Sequence, residues 1–202
     1  MNIYVETNFL QELTFLQEQS GACEDILKLC EDGEAKLVIP AFSLAEPLGK
    51  LHRQKNTRLE IQKSINTEIQ QLSRTVGYES QIQNIKNLDL LFAQSIEEER
   101  KRFEKYRNKI VNIGNIISLD VSIFQASEKI ESELKLSMQD AIVYASVLMN
   151  LQTEQPPISC FLNRNSKDFD IPEIRTQLED LHCTMIPRFD DGVGFIASRL
   201  NL

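Results

Sequence analysis

Five short apolar runs alternate with helical patterns along the chain, and that alternation limits the fold more than any other feature. The runs are Ile3 to Val5, Lys36 to Ile39, Asn115 to Leu119, Ile158 to Leu162 and Cys183 to Ile186. Each has strand length, and each is bounded by polar or turn-forming residues. Strands separated by helices pair through crossovers, which gives a parallel sheet with helices on both faces. The expected class is therefore α/β.

The helical stretches carry their own signals. Residues 8–18 read as a first helix, capped by Asn8 and broken at Ser20-Gly21. A second runs through Ile26, Leu27 and Leu29 to a stop at Gly33. Ser43 with Glu46 forms a capping box, which predicts a helix start at Ser43 with Pro47 in its first turn. Asp120 or Ser122 opens the helix after the third strand. Ser137 with Asp140 is a second capping box, ahead of a very apolar helix. Asp170 reads as the cap of a short helix with Pro172 early in it. The stretch from Val193 to Leu200 reads as one more helix. Residues 50–110 are rich in Gln, Glu, Lys and Asn around a narrow apolar seam that includes Ile65, Ile69, Ile82, Ile85, Phe103 and Ile110. They predict an antiparallel helical hairpin interrupted at Gly77, inserted in a single domain spanning 1–202.

Composition narrows the function classes. A net charge of −8 over 202 residues argues against a basic nucleic-acid coat protein. No apolar stretch is long enough to span a bilayer, and the N-terminus has no signal pattern. A cytoplasmic protein with no membrane partner is expected. Cys23, Cys30, Cys160 and Cys183 show no metal spacing with His52 or His182, so they read as reduced core thiols.

Four acids share a place in this plan. Glu6 follows the first strand, Glu46 lies just after the second, Asp140 opens the apolar helix, and Asp168 follows the fourth strand. Strand ends of one kind lie at one edge of a parallel sheet, so Glu6, Glu46 and Asp168 are expected to converge there, and Asp140 joins them if its helix packs with its N-terminus on that side. Clustered carboxylates repel and call for cations, and oxygen-only ligands select Mg²⁺ or Mn²⁺. The matching chemistry is metal-assisted phosphodiester hydrolysis. The competing structural reading is equally concrete: Glu46 and Asp140 each complete a capping box, and Asp168 is a solvated turn residue.

The same stretches resemble the PIN-domain family, best known from toxin–antitoxin ribonucleases. Ile-Tyr-Val-Glu-Thr-Asn-Phe-Leu resembles its opening strand and Asp-Thr-Asn motif. Ile-Pro-Ala-Phe-Ser-Leu-Ala-Glu resembles its second motif, with Glu46 as the acid. Leu-Ser-Met-Gln-Asp-Ala-Ile-Val-Tyr-Ala-Ser resembles its third, with Asp140. Phe-Leu-Asn-Arg-Asn-Ser-Lys-Asp-Phe resembles its fourth. The resemblance implies a three-layer fold with a five-stranded parallel sheet, a metal-dependent endoribonuclease acting on RNA, and a homodimer. It also brings an antitoxin protein into view as a partner. Glu6, Glu46, Asp140 and Asp168 are then the expected metal and catalytic residues, with Asn8 and Asn165 in support.

This chain departs from the family pattern in two places. Glu6 stands where the family has Asp, which moves the carboxylate by one C–C bond against strict octahedral Mg²⁺ geometry. Asn163 replaces the usual Thr, and Asn165 takes a position often filled by Asp. These departures support an alternative: a catalytically weakened PIN-fold protein acting as an RNA-binding or assembly module. A phosphatase or nucleotide binder ranks last, because no Gly-rich phosphate loop is present. In the hairpin, Arg53, Arg100, Lys101 and Arg102 are the expected RNA contacts, with pairing to Glu97, Glu98 and Glu99 as the competing reading.

Overall fold

The computed structural model describes residues 1–78, 82, 87–165 and 169–200. Asp168, and Ile85 of the hairpin seam, lie outside the described residues. The strands are β1 (Asn2–Val5), β2 (Lys36–Pro40), β3 (Asn115–Ile117), β4 (Ser159–Leu162) and β5 (Cys183–Ile186). They form one five-stranded sheet in the order β3-β2-β1-β4-β5, with every neighbouring pair parallel. The helices are α1 (Thr7–Phe15), α2 (Ser20–Glu31), α3 (Ala41–Leu72), α4 (Asn87–Ile113), α5 (Val121–Leu134), α6 (Met138–Glu154), α7 (Pro172–Glu179) and α8 (Phe189–Leu200).

The strand order places β1 at the centre. The chain lays β2 and then β3 on one side of it and returns to the other side for β4. Connections leaving β1 and β4 therefore diverge, which opens a crevice at their carboxyl ends. Val5 pairs with Leu162 in register, so Glu6 and Asn163 leave adjacent strands at the same level.

Both faces of the sheet are covered, which explains why Ile3, Tyr4 and Val5 of β1 and Cys160, Phe161 and Leu162 of β4 are apolar runs rather than alternating ones. Tyr4, Val38 and Phe161 belong to one core with Tyr144, Val147 and Leu151 of α6 and Ile174 and Leu178 of α7. Phe169 sits in this core edge-on to Phe161 and Tyr144, with ring centroids 5.7 and 6.2 Å away. Ile3, Val5, Leu37, Ile39 and Leu162 alternate to the other face and are also buried. That side is covered by α1, α2 and α8, where Phe9 meets Phe189 edge-to-face at 5.4 Å.

Several helix starts differ from the sequence reading, for local reasons. Glu6, not Asn8, caps α1, because its side chain accepts the Asn8 backbone N–H. Ser20-Gly21 open α2 instead of breaking the chain; the break comes at Leu16, whose φ is 49°. β2 runs straight into α3 at Ala41, so Ser43 is interior and buried, and the Ser43–Glu46 pair is not a cap. Pro47 consequently lies inside the helix rather than in its first turn. Ile171 caps α7 without a side-chain bond, while Asp170 pairs with Arg175 at 2.5 Å. Asp120 and Ser137 do cap α5 and α6.

The chain forms two compact units. The first, Met1–Pro47 with Phe103–Leu202, contains the sheet; the second is Leu48–Arg102. In the second, Arg58 holds Glu99 through two bonds of 2.7 and 2.8 Å. Within the first, the end of α4 packs on α2, where Lys109 meets Glu31 at 2.8 Å and Tyr106 donates to Glu24.

Two glycines of α8 make the sheet–helix packing testable. A Cβ at Gly192 would lie 2.8 Å from Leu162, which is fully buried, whereas one at Gly194 meets nothing within 4 Å. Gly192→Ala should lower stability by about 1–3 kcal/mol through overpacking. Gly194→Ala should raise it by about 0.5–1 kcal/mol through helix propensity. Urea denaturation of both variants checks the pair, and the opposite signs exclude a general effect of glycine removal.

Candidate functional site

The carboxyl ends of the central strands deliver acids into one pocket of the first unit. Glu6 is supplied by the junction of β1 and α1, Glu46 by the second turn of α3, and Asp140 by the first turn of α6. All three line the pocket, together with Asn8 and Asn165. Thr7, Gln11, Ser137 and Gln139 complete its polar wall, and Val143 adds an apolar patch. The structure thus brings together five of the six predicted pocket residues. The sixth, Asp168, lies outside the described residues.

Each acid is held by a donor of the protein. Glu6 is 5% exposed. Its Oε2 accepts the Asn8 backbone N–H at 2.7 Å and its Oε1 accepts the Arg164 N–H at 3.4 Å. Burial pushes its carboxyl up to about 7, against the two backbone bonds that favour the charged form, and the nearby Glu46 adds to the rise. Glu46 is half-buried and accepts the Thr7 hydroxyl at 2.5 Å. Asp140 accepts the Ser137 hydroxyl at 2.6 Å, while Ser137 accepts the Asp140 backbone N–H at 3.2 Å. The remaining oxygen of Asp140 accepts the Asn165 side-chain amide at 3.4 Å.

The turn after β4 is organised by its own side chains. Asn163 is 2% exposed, and its Oδ1 accepts the Asn165 backbone N–H at 2.6 Å. Its Nδ2 is buried and finds no acceptor among the described residues. A Thr at this position has no amide to leave in that state, so Asn163 is a chemical as well as a sequence departure.

Thr7 and Arg164 were not anticipated as site residues. Thr7 lies inside the Glu-Thr-Asn motif, which is a signal; Arg164 reads as a surface cation until the position of its backbone N–H is known. Among the expected RNA contacts, Arg53 is exposed on α3. Arg100 meets Glu97 at 2.9 Å, Lys101 meets the same carboxylate at 3.5 Å, and Arg102 meets Glu98 at 3.4 Å. These four belong to the second unit, and the last three follow the pairing reading.

A divalent cation needs oxygens free to turn toward one point at roughly 2.0–2.2 Å. Among the described residues, no three of the His, Cys, Asp and Glu side chains are grouped so as to hold a metal ion. Both Glu6 oxygens are engaged by backbone donors. As arranged here, the three pocket acids do not fit a metal centre, although their oxygen-only chemistry is of the right kind.

No curated protein matches the chain. Among solved structures, it is similar to the crystal structure of VapBC2 from Rickettsia felis bound to a DNA fragment from their promoter. That likeness has a TM-score of 0.45 at 10% identity and covers 92% of this chain and 98% of the other. The PIN domain family model matches residues 3–169, which takes in the opening strand, the Glu46 and Asp140 segments and the turn after β4. With a family match over most of its length and a five-stranded parallel sheet, the chain belongs to the PIN domain family.

Proposed function

We propose that this chain is a PIN-fold protein with weakened catalysis that acts as an RNA-binding or assembly module. The observation that carries the reading is the state of Glu6. The residue in the family's first acidic position is buried, caps α1, and takes a backbone N–H on each oxygen. A ligand position used this way contributes to the fold first.

The helical unit leans toward assembly. Arg58, Arg100, Lys101 and Arg102 are all matched to glutamates of the same unit, which leaves less positive surface for phosphate. Leu59, Ile61, Leu90 and Leu91 are exposed on it, at 45, 43, 60 and 56%. A second copy of the chain or an antitoxin-type protein is the matching partner. No helix among the described residues is long and apolar enough to cross a membrane.

The second reading, a Mg²⁺- or Mn²⁺-dependent endoribonuclease, is favoured by one observation: Glu6, Glu46 and Asp140 share a pocket with Asn8 and Asn165. In that reading Glu6, Glu46, Asp140 and Asp168 hold the metal and act in catalysis. Incubating single-stranded RNA with millimolar Mn²⁺ and either wild type or Asp140→Asn separates the two. The leading reading expects the same slow background cleavage from both. Asn still accepts hydrogen bonds at the start of α6, so the variant should fold. Turnover in wild type that drops at least a hundredfold in Asp140→Asn would establish the nuclease instead.

Glu6 also predicts a pH dependence. Its folded pKa, about 7, lies above the ordinary value of 4.5. The native state therefore holds the proton more tightly than the unfolded chain. Glu6 costs nothing below pH 4.5, and its penalty grows as pH rises through that value and levels off above about 7. The full penalty is on the order of 3 kcal/mol. Gln keeps an oxygen for the cap without ionising. Glu6→Gln should gain stability relative to wild type between pH 5 and 8, with no gain at pH 4, as measured by urea denaturation across that range.

A further inference from the structure

A second acid of α1 lies outside the pocket and is fully buried. Glu12 is 0% exposed, on the same helix as the cap Glu6. One carboxylate oxygen accepts the Gln19 backbone N–H at 2.9 Å, in the turn that opens α2. The Gln19 side chain in turn accepts the Phe189 N–H at 2.6 Å, at the start of α8. The other side of the Glu12 carboxylate faces the Arg164 guanidinium. Arg164 also donates to Glu18 at 2.9 Å, but that carboxylate is 62% exposed.

Arg164 is the middle residue of the turn that reaches the pocket. Its backbone N–H meets Glu6, and the next side chain, Asn165, meets Asp140. Both pocket contacts are long, at 3.4 Å, so neither defines the turn by itself. Asn163 holds the turn from within, its Oδ1 accepting the Asn165 N–H at 2.6 Å, and a second constraint comes from the opposite direction, where the Arg164 guanidinium forms an ion pair with Glu12. We propose that Glu12 is a positioning residue: from inside α1 it anchors Arg164 and so holds the 163–165 turn against Glu6 and Asp140.

Physical chemistry favours Glu12 over Glu18 for this task. An ion pair with one fully buried partner is little screened by solvent or salt, whereas an exposed pair contributes little. Glu12 is itself fixed by the Gln19 N–H, so it offers the guanidinium an immobile acceptor. Removing the anchor would loosen Arg164 N–H from Glu6 and the Asn165 amide from Asp140 together. The pair thus sets how the pocket presents two of its three acids. The inference rests on that pocket being the functional centre, but its test reads the turn directly and needs neither RNA nor metal.

The test follows the Asn165 side-chain amide and the Arg164 backbone amide by ¹H–¹⁵N NMR. In Glu12→Gln the amide oxygen still serves Gln19, but the charge is gone. Both signals should shift and lose at least tenfold in exchange protection, while the amides of Val38 and Phe161 in the sheet stay protected. Glu18→Gln should leave both signals as in wild type. Should the single variant fail to fold, Glu12→Gln with Arg164→Met removes both charges, and replacing both partners is tolerated where breaking a pair is not. In that folded double variant the Asn165 amide should again be released. Wild-type protection of the Asn165 amide in either Glu12 variant, or an equal loss in Glu18→Gln, would overturn the proposal.

Discussion

The parallel pairing of β1 with strands on both sides is the constraint from which the rest of the molecule follows. A central strand in a parallel sheet has both faces covered, so Ile3, Tyr4 and Val5 must all be apolar and buried. Once β1 lies between β2 and β4, every connection leaving those strands starts at one edge of the sheet. Glu6, Asn163 and the start of α3 are brought together by topology, before any side-chain interaction is made. The side-chain bonds then refine that placement: Thr7 to Glu46, Ser137 to Asp140, Asn165 to Asp140. Residues as far apart as 6 and 165 share a pocket for that reason, although most of the intervening chain is helix.

What was legible in the sequence follows the same division. The strands were legible because β1 and β4 are short, apolar and bounded by breakers, and their alternation with helices dictates a parallel arrangement. The convergence of Glu6 and Glu46 was legible for the same topological reason, whereas that of Asp140 depended on which way α6 packs. Helix starts were less so. Ser43 and Glu46 have capping-box spacing, but Pro40 hands β2 directly to α3, so the box falls inside the helix. This error has a useful side: it removes the structural explanation for Glu46 and leaves the residue as a wall of the pocket. Asp140 is the converse, since it takes part in a cap and also faces the pocket.

The buried acid Glu12 was not legible at all. A Glu within a helix reads as a solvated face, and only its spacing from Phe9 and Leu13 hints that it lies on the buried side. Its partner Arg164 is 152 residues away in sequence, and no local pattern links the two. Ion pairs of this kind depend on which helix covers which end of the sheet. That information resides in the assembled fold, and periodicity does not carry it.

The acids of the pocket raise a last physical question, how three carboxylates coexist at one strand edge. Repulsion among them can be relieved by a cation, by hydrogen-bond donors or by a proton. The structure uses donors for all three. At Glu6 burial also lifts the carboxyl to about 7, and the neighbouring Glu46 pushes in the same direction. A proton shared between the folded state and neutral solvent relieves the same repulsion that a divalent ion relieves in a metal centre, without requiring octahedral geometry. The Glu6 side chain reaches back to the Asn8 N–H of the helix it caps and also meets the turn after β4. A Glu in the first position thus changes more than the reach of a ligand. It places there a buried carboxylate that caps α1 and touches the turn after β4 at once.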